Sequence, residues 1–482
     1  MSSMSRNTAW SFLSIMGVQF INIITNIILA RMLSPETFGI LGMAIVFAGF
    51  AFLIQEAGLN SYLIYKKEQN EDAVSLTFWL NIILSIFIAG LLFVGADTIS
   101  QFYGDNQVII IIQFICIGIL IGSIGSTHRA LLMKNNQFKD LTKIDIIAEI
   151  VSSIAAIVLA IYINGLLAVS AKYVFRPVVQ SILIFKYYRY PIKFRISLGE
   201  LKHLVYYSSS ILGSQFFMYL NNNVDFFLVG RFLGDRLLGI YTLAFQWGAL
   251  ARYYLSNAVA RVLFPEVSKQ QDDLNKLKLM YLSVISKMAF ITLPICIGLA
   301  LTSHEFIYVL YGEKWLGVVP VLQTLLVAGG LSSISVIGNP VLRGIGRPDL
   351  EMKLSIASFL LFTSLVLVGV RYNLIIVALA ELCRVIIIEG IRIYLIKKNV
   401  GIKSSLIFKC LLPTIRSLMV MIIMLLGFNM IKFEFNIILI FVIKVIVGIA
   451  SYVFGSFVFN RKEATWIISY VKNRNKNTKQ IA

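Results

Sequence analysis

The sequence predicts an all-α polytopic membrane protein of about fourteen transmembrane helices. These form two six-helix lobes in a parallel repeat plus two extra C-terminal helices, with N- and C-termini cytoplasmic. Three observations predict it. Of the 482 residues, 58% are hydrophobic and only 14% charged, against roughly 45–50% and about 25% in soluble domains. The mean hydropathy is +0.83. Apolar windows recur at the length of a bilayer crossing, roughly 20 residues. The first half of the chain is also similar to the second.

Taken in order, the apolar windows run over 9–30, 38–63, 74–96, 108–128, 142–163, 165–187, 207–230, 238–262, 281–302, 315–338, 351–371, 373–396, 408–430 and 435–459. Windows five and six are separated only by Asn164-Gly165, and eleven and twelve only by Tyr372-Asn373. A merged helix of either pair is too long for one crossing, so each pair is read as a hairpin. The first window exceeds the apolar core of a secretory signal, and its only basic flank is Arg6, so it is expected to stay as a signal-anchor.

Lysine and arginine set the orientation. With the N-terminus inside, cytoplasmic segments hold 29 basic residues and outside segments six: Arg31, Arg231, Arg236, Lys314, Arg371 and Lys432. The positive-inside rule then places both termini in the cytoplasm. The same asymmetry accounts for most of the net charge of +19. The basic residues are scattered over short juxtamembrane loops, which suits anionic lipid headgroups and argues against nucleic-acid binding.

The repeat is clearest at an offset of 200, where ILARMLSPETFGIL (28–41) lies over LVGRFLGDRLLGIY (228–241). Identities include Asn22/Asn222, Arg31/Arg231 and Gly39/Gly239. At 208, DTISQFYGD (97–105) lies over EFIYVLYGE (305–313) and Arg176 meets Arg384. Each copy spans six crossings. An even number gives the second copy the same polarity as the first, a parallel repeat about an axis along the membrane normal. The expected organisation is an N-terminal lobe (1–190), a cytoplasmic linker (191–206), a C-terminal lobe (207–400), an extra helix pair (401–460) and a basic cytoplasmic tail (461–482). Two packed lobes predict an alternating-access carrier with its substrate at the seam. A large membrane scaffold built by duplication is the plainer alternative.

Several function classes find no support. The chain has no G-x-x-x-x-G-K-[ST] loop for nucleotide phosphates, and no H-E-x-x-H or G-x-S-x-G in a strand–turn–helix context. Its four cysteines show no ligand spacing, so neither a metal nor another cofactor is expected. Outside connections are too short for the catalytic loops of membrane glycosyltransferases, and the chain reads as a transporter rather than an enzyme.

Ionisable residues inside the windows carry the remaining information, because each costs about 2.5–3.5 kcal/mol at a helix centre. Lys172 and Arg176 are four apart and share one face of the sixth helix. Two like charges there are costly without an anion, so the face is expected to line a cavity that receives negative charge. Pro177 follows and loosens the helix. The mate of Arg176, Arg384, has Glu381 three residues before it, and both a cavity cation and an intrahelical ion pair fit that spacing. Arg252 in the eighth window is a further cavity candidate, with Arg261 on the same face reaching the cytoplasmic surface. Asp225, beside Asn221, Asn222 and Asn223, and Glu56 are candidate coupling groups for H+ or Na+. Asp225 fits a helix-packing role equally well. Asp145 and Glu149 are further in-span acids, and Lys444 is expected to make a lobe or partner contact.

With these residues laid out, ILARMLSPETFGIL, EAGLNSYLI (56–64) and HRALLMKNNQFKDL (128–141) resemble the opening half of the polysaccharide-transporter flippases. These are Wzx-type members of the multidrug/oligosaccharidyl-lipid/polysaccharide (MOP) superfamily, and the resemblance is strongest to the colanic-acid and teichuronic-acid exporter branch. It implies a flippase of the bacterial plasma membrane that carries undecaprenyl-diphosphate-linked oligosaccharide repeat units to the outer leaflet, for lipopolysaccharide or exopolysaccharide biosynthesis. It also implies a two-lobed fold whose cationic cavity receives the diphosphate-sugar head. Lys172, Arg176 and Arg384 fall on helices that would line such a cavity. Candidate partners are the lipid-linked oligosaccharide, H+ or Na+, membrane lipids, and a polysaccharide polymerase or other assembly proteins. The competing reading is an H+- or Na+-coupled exporter of small cationic drugs, which predicts an acid-dominated cavity.

Overall fold

The computed structural model describes residues 3–57, 59–65, 71–163, 165–192, 198–250, 256–270, 273–431, 436–466 and 469. Among these the secondary structure is helical, with no strand. Among the described residues eleven helices are long and apolar enough to cross a membrane, the length and composition of a multi-pass membrane protein. The chain divides into two compact units, Met1–Gly239 and Ile240–Ala482.

The first unit contains α1 (Ser3–Met32), α2 (Pro35–Ala57), α3 (Leu59–Tyr65), α4 (Glu71–Tyr103), α5 (Gln107–Lys134), α6 (Phe138–Tyr162), α7 (Gly165–Tyr187) and most of α8 (Leu198–Gly248). Local chemistry sets the ends. Pro35 opens α2 where its missing N–H costs nothing, and Glu36 in the first turn complements the helix dipole. Asn136 takes the left-handed conformation just past α5, a role asparagine fills more readily than most residues. Gly234 (φ +83°) divides α8 into helices over 198–233 and 235–248.

The surface is inside-out relative to a soluble protein. Ile86, Phe87, Leu91 and Val94 of α4 are exposed, Val94 by 79%, while Thr77, Asn81 and Ser85 of the same helix are buried. Small residues let backbones approach where hydrophobic association cannot drive packing. The repeat mates Gly39 and Gly239 meet in this way. A methyl on Gly39 would lie 1.7 Å from the Asp235 carbonyl oxygen, and one on Gly239 would lie 2.0 Å from that of Pro35. The starts of α2 and of the 235–248 helix therefore cross backbone against backbone.

The second unit contains α9 (Asn257–Lys269), α10 (Leu274–Leu301), α11 (Ser303–Tyr311), α12 (Val319–Ser335), α13 (Gly338–Gly344), α14 (Pro348–Gly369), α15 (Leu374–Val400), α16 (Ser404–Met430) and α17 (Ile437–Phe459). Asp273 caps α10 by accepting the N–H groups of Asn275 and Lys276. The α16–α17 hairpin packs on α10, with the Tyr452 hydroxyl donating to the Phe290 carbonyl at 2.8 Å. Lys444, the one charge in α17, pairs with Glu305 of α11 at 2.6 Å. It thus makes a contact inside this unit.

Two windows expected to be continuous helices are divided. Over 238–262, α8 ends at Gly248 and α9 begins at Asn257. Over 315–338, α12 ends at Ser335 and α13 starts at Gly338. The two divided segments meet: a methyl on Gly329 would lie 1.9 Å from the Gly248 carbonyl oxygen, and the Ser256 hydroxyl donates to the Ser333 carbonyl at 2.8 Å. The Ser256 hydroxyl thus serves a carbonyl near the end of α12, as carbonyls freed at membrane depth require. Apolarity does not fall at either division, which is why the windows run through.

Candidate functional site

Four in-membrane charges of the first unit gather on two adjoining helices, α6 and α7. α6 carries Asp145 and Glu149 four residues apart, hence on one face. α7 carries Lys172, Arg176 and Gln180 at the same spacing. α7 packs back along α6, so the two polar stripes face each other in antiparallel order. α1 packs on α6 and contributes Ser14 and Asn22.

Glu149 sits at the centre and is 0% exposed. Its Oε1 lies 2.7 Å from Lys172 Nζ and its Oε2 lies 3.3 Å from Arg176 Nε. Lys172 Nζ also donates to Asn22 Oδ1 at 2.7 Å. Sequence reasoning asked what anion could make the Lys172–Arg176 face tolerable. In this structure that anion is the protein's own Glu149. The three groups together still leave one net positive charge. The Arg176 side chain is 38% exposed, so the guanidinium is partly accessible while the carboxylate is not.

One turn along, Asp145 accepts two bonds from the Arg129 fork at 2.6 and 2.9 Å, one from Ser14 at 3.0 Å and one from Gln180 at 3.2 Å. This carboxylate is saturated by donors, and its charge is cancelled by Arg129. Neither Asp145 nor Glu149 stood out as a site residue in the sequence. The available signal was the pair of i,i+4 stripes in consecutive helices joined by a tight turn.

Pro177 explains how α7 reaches this position. It has no N–H to give to the carbonyl four residues back, that of Tyr173. That carbonyl turns to α5, where a methyl on Gly118 would lie 2.1 Å from it. Gly122 and Gly125 continue the groove, and Ser181 Oγ donates to the Ile121 carbonyl at 3.1 Å. A prolyl kink and a glycine track thus seat the basic face of α7 against its neighbours.

The other sequence candidates fall elsewhere. Arg384 belongs to the second unit and is buried there. Its Nε donates to Glu381 Oε2 at 2.6 Å, its Nη1 to Ser358 Oγ at 2.9 Å, and the guanidinium lies 5.1 Å from the Phe362 ring centre. One double turn further, Glu389 and Arg392 repeat the i,i+3 ion pair. Asp225 in α8 is 1% exposed, and the side-chain amide of Asn223 bonds its own helix at the Tyr219 carbonyl. Arg252 lies outside the described residues, as do the side chains of Glu56 and Arg261.

Residues 28–320 match the family described as "Polysaccharide biosynthesis protein". The chain belongs to this family. The sequence is 28% identical over 344 residues to the teichuronic acid biosynthesis protein TuaB of Bacillus subtilis, covering 71% of each chain. It is 26% identical over 367 residues to the lipopolysaccharide biosynthesis protein WzxC of Escherichia coli, covering 75% of this chain and 74% of that one. The fold matches the lipid II flippase MurJ in its inward closed conformation, with a TM-score of 0.74 at 16% identity, over 94% of this chain and 99% of that one. An inward-facing multidrug MATE transporter of the MOP superfamily follows at 0.62 and 17% identity, over 80% and 95%. The MOP-type fold expected from the sequence is therefore the one adopted.

Proposed function

We propose that this protein is a flippase for polyprenyl-diphosphate-linked oligosaccharide repeat units, moving them across the bacterial plasma membrane by alternating access for surface polysaccharide biosynthesis. The observation that carries this reading is the basic face of α7: in a polysaccharide biosynthesis protein, Lys172 and Arg176 hold a net positive charge at membrane depth. A diphosphate head carries a charge of about −2. An arginine fork and a lysine ammonium are suited to its oxygens, and charge-assisted bonds of this kind are the strong ones. The polyprenyl tail stays in lipid while the head is received.

Within this reading Arg384 holds α15 to α14 through Glu381 and Ser358, and serves the head only if that pair opens. Asp225 and Glu56 remain candidates for H+ or Na+ coupling, with both chain termini in the cytoplasm and a polysaccharide polymerase among the assembly partners. Reconstitution tests the proposal. Vesicles holding the purified protein should move a fluorescent polyprenyl-diphosphate oligosaccharide between leaflets, and Lys172→Gln with Arg176→Gln should abolish this. The shared MATE fold supports drug export as a second reading. No flipping by the wild type, with drug efflux that the double variant loses, would decide for the exporter.

A further inference from the structure

The charge arithmetic around α7 leads to a residue whose role lies beyond support. Lys172 and Arg176 supply two positive charges and Glu149 removes one. Arg129 and Asp145 cancel each other alongside. If a headgroup of about −2 entered while Glu149 stayed ionised, the cluster would hold a surplus negative charge at membrane depth, where such charges are expensive. One proton on Glu149 brings the sum to zero.

We propose that Glu149 is a built-in counter-anion that a diphosphate headgroup replaces, taking up one proton as the headgroup binds. This rests on the flippase reading and gives it a coupling step. The proton comes from the aqueous phase and converts the Glu149 carboxylate to the neutral acid. The two cations it held then turn to the phosphate oxygens. No bond of the headgroup is made or broken, and release of the head returns the proton.

Geometry singles out Glu149 among the acids of the site. Asp145 accepts four hydrogen bonds, two of them from a guanidinium that stays on it, so protonating it would orphan donors on three helices. Glu149 is held through its two cation contacts, Lys172 at 2.7 Å and Arg176 at 3.3 Å, and a headgroup attracts both of them. The groups facing it from each packed element are few. α7 brings Lys172, Arg176 and the Tyr173 phenol, which is near enough to feel both charges. α1 brings Asn22, a neutral amide already bonded to Lys172. α5 brings Arg129, committed to Asp145. The two cations of the cluster are therefore the ones Glu149 pairs with, and it cancels the charge of one of them.

The test is calorimetric binding of a geranylgeranyl-diphosphate-linked N-acetylglucosamine, whose two phosphates carry one charge each and do not titrate near neutral pH, to the full-length protein in lipid nanodiscs, in buffers of differing ionisation enthalpy. Wild type should take up one proton on binding, and affinity should rise about tenfold per unit as pH falls. Glu149→Gln should bind at least as tightly, with no dependence on pH or buffer. Proton uptake persisting undiminished in Glu149→Gln would overturn the assignment. Should that variant fail to fold, the wild-type measurement decides alone: diphosphate binding without proton uptake refutes the coupling and leaves the flippase reading standing. No diphosphate binding by folded wild type refutes both.

Discussion

The Lys444–Glu305 pair offers a quantitative check on how the α16–α17 hairpin is held. The two side chains are 9% and 12% exposed, and their charged atoms are 2.6 Å apart. Lys444 is the eighth residue of α17, about 10 Å from the start of that helix at 1.5 Å per residue, which is beyond easy reach of an aqueous surface. Lys444→Met leaves the Glu305 carboxylate buried without its counter-charge, and Glu305→Leu strands the ammonium. Breaking a buried pair from one side costs about 3–5 kcal/mol, whereas replacing both partners with apolar groups is often neutral or stabilising by about 1–4 kcal/mol. The expected signature is two unstable single variants and a Lys444→Met/Glu305→Leu double variant at or above wild-type stability, with a coupling energy of about 3 kcal/mol or more. Chemical unfolding of the purified protein in detergent, run as a double-mutant cycle, reads this directly. Single variants within about 1 kcal/mol of wild type, the value usual for exposed pairs, or a double variant as unstable as the two losses summed, would refute the argument.

Three further outcomes are expected. Lys172→Gln and Arg176→Gln each remove a charge-assisted contact worth about 1.5–3 kcal/mol, so headgroup affinity should fall roughly ten- to a hundredfold for each, measured by competition with a fluorescent polyprenyl diphosphate; unaltered affinity in both would exclude α7 from the binding face. Gly39→Ala should destabilise by about 1–3 kcal/mol through overpacking against Asp235, while Gly90→Ala, where nothing lies within 4 Å, should be neutral or slightly stabilising; thermal midpoints of the two variants separate these cases. The Asp273 carboxyl is held below the usual aspartate range by the Lys276 N–H it accepts at the start of α10. Its capping contribution is present above the unfolded value of about 3.9 and is lost as pH falls through the lower folded value, so Asp273→Ala should lower the thermal midpoint at neutral pH and match wild type once the cap is protonated.

The fold was legible because a bilayer imposes its thickness on the sequence: among the described residues the apolar windows lie on helix over most of their length, and eleven helices are long and apolar enough to cross. Orientation and site chemistry differ in kind. The divisions near Gly248 and Ser335 left no trace, since the Ser333 carbonyl near the end of α12 is met by Ser256 from distant sequence, and apolar content stays high throughout. The Lys172–Arg176 face was visible as an unfavourable spacing, and the sequence posed the right question about its anion. The answer, Glu149, required knowing which side of α6 meets α7. Arg384 shows the opposite limit. A Glu381–Arg384 spacing suits a cavity or a local pair alike, and only the positions of Ser358 and Phe362 decide that the guanidinium is engaged within its own unit.

Arg176 and Arg384, which the sequence repeat aligns, sit in different surroundings. Arg176 shares its carboxylate with a neighbouring lysine across two helices, while its counterpart Arg384 is bound to a glutamate one turn away on the same helix. A carrier whose halves were equally sticky could grip a charged cargo by either one and stall with it held twice. Here Arg176 keeps a partly exposed guanidinium, whereas Arg384 is buried in a local pair. Substitutions at Arg384 should cost yield of folded protein, whereas under the proposed function those at Lys172 and Arg176 should cost throughput.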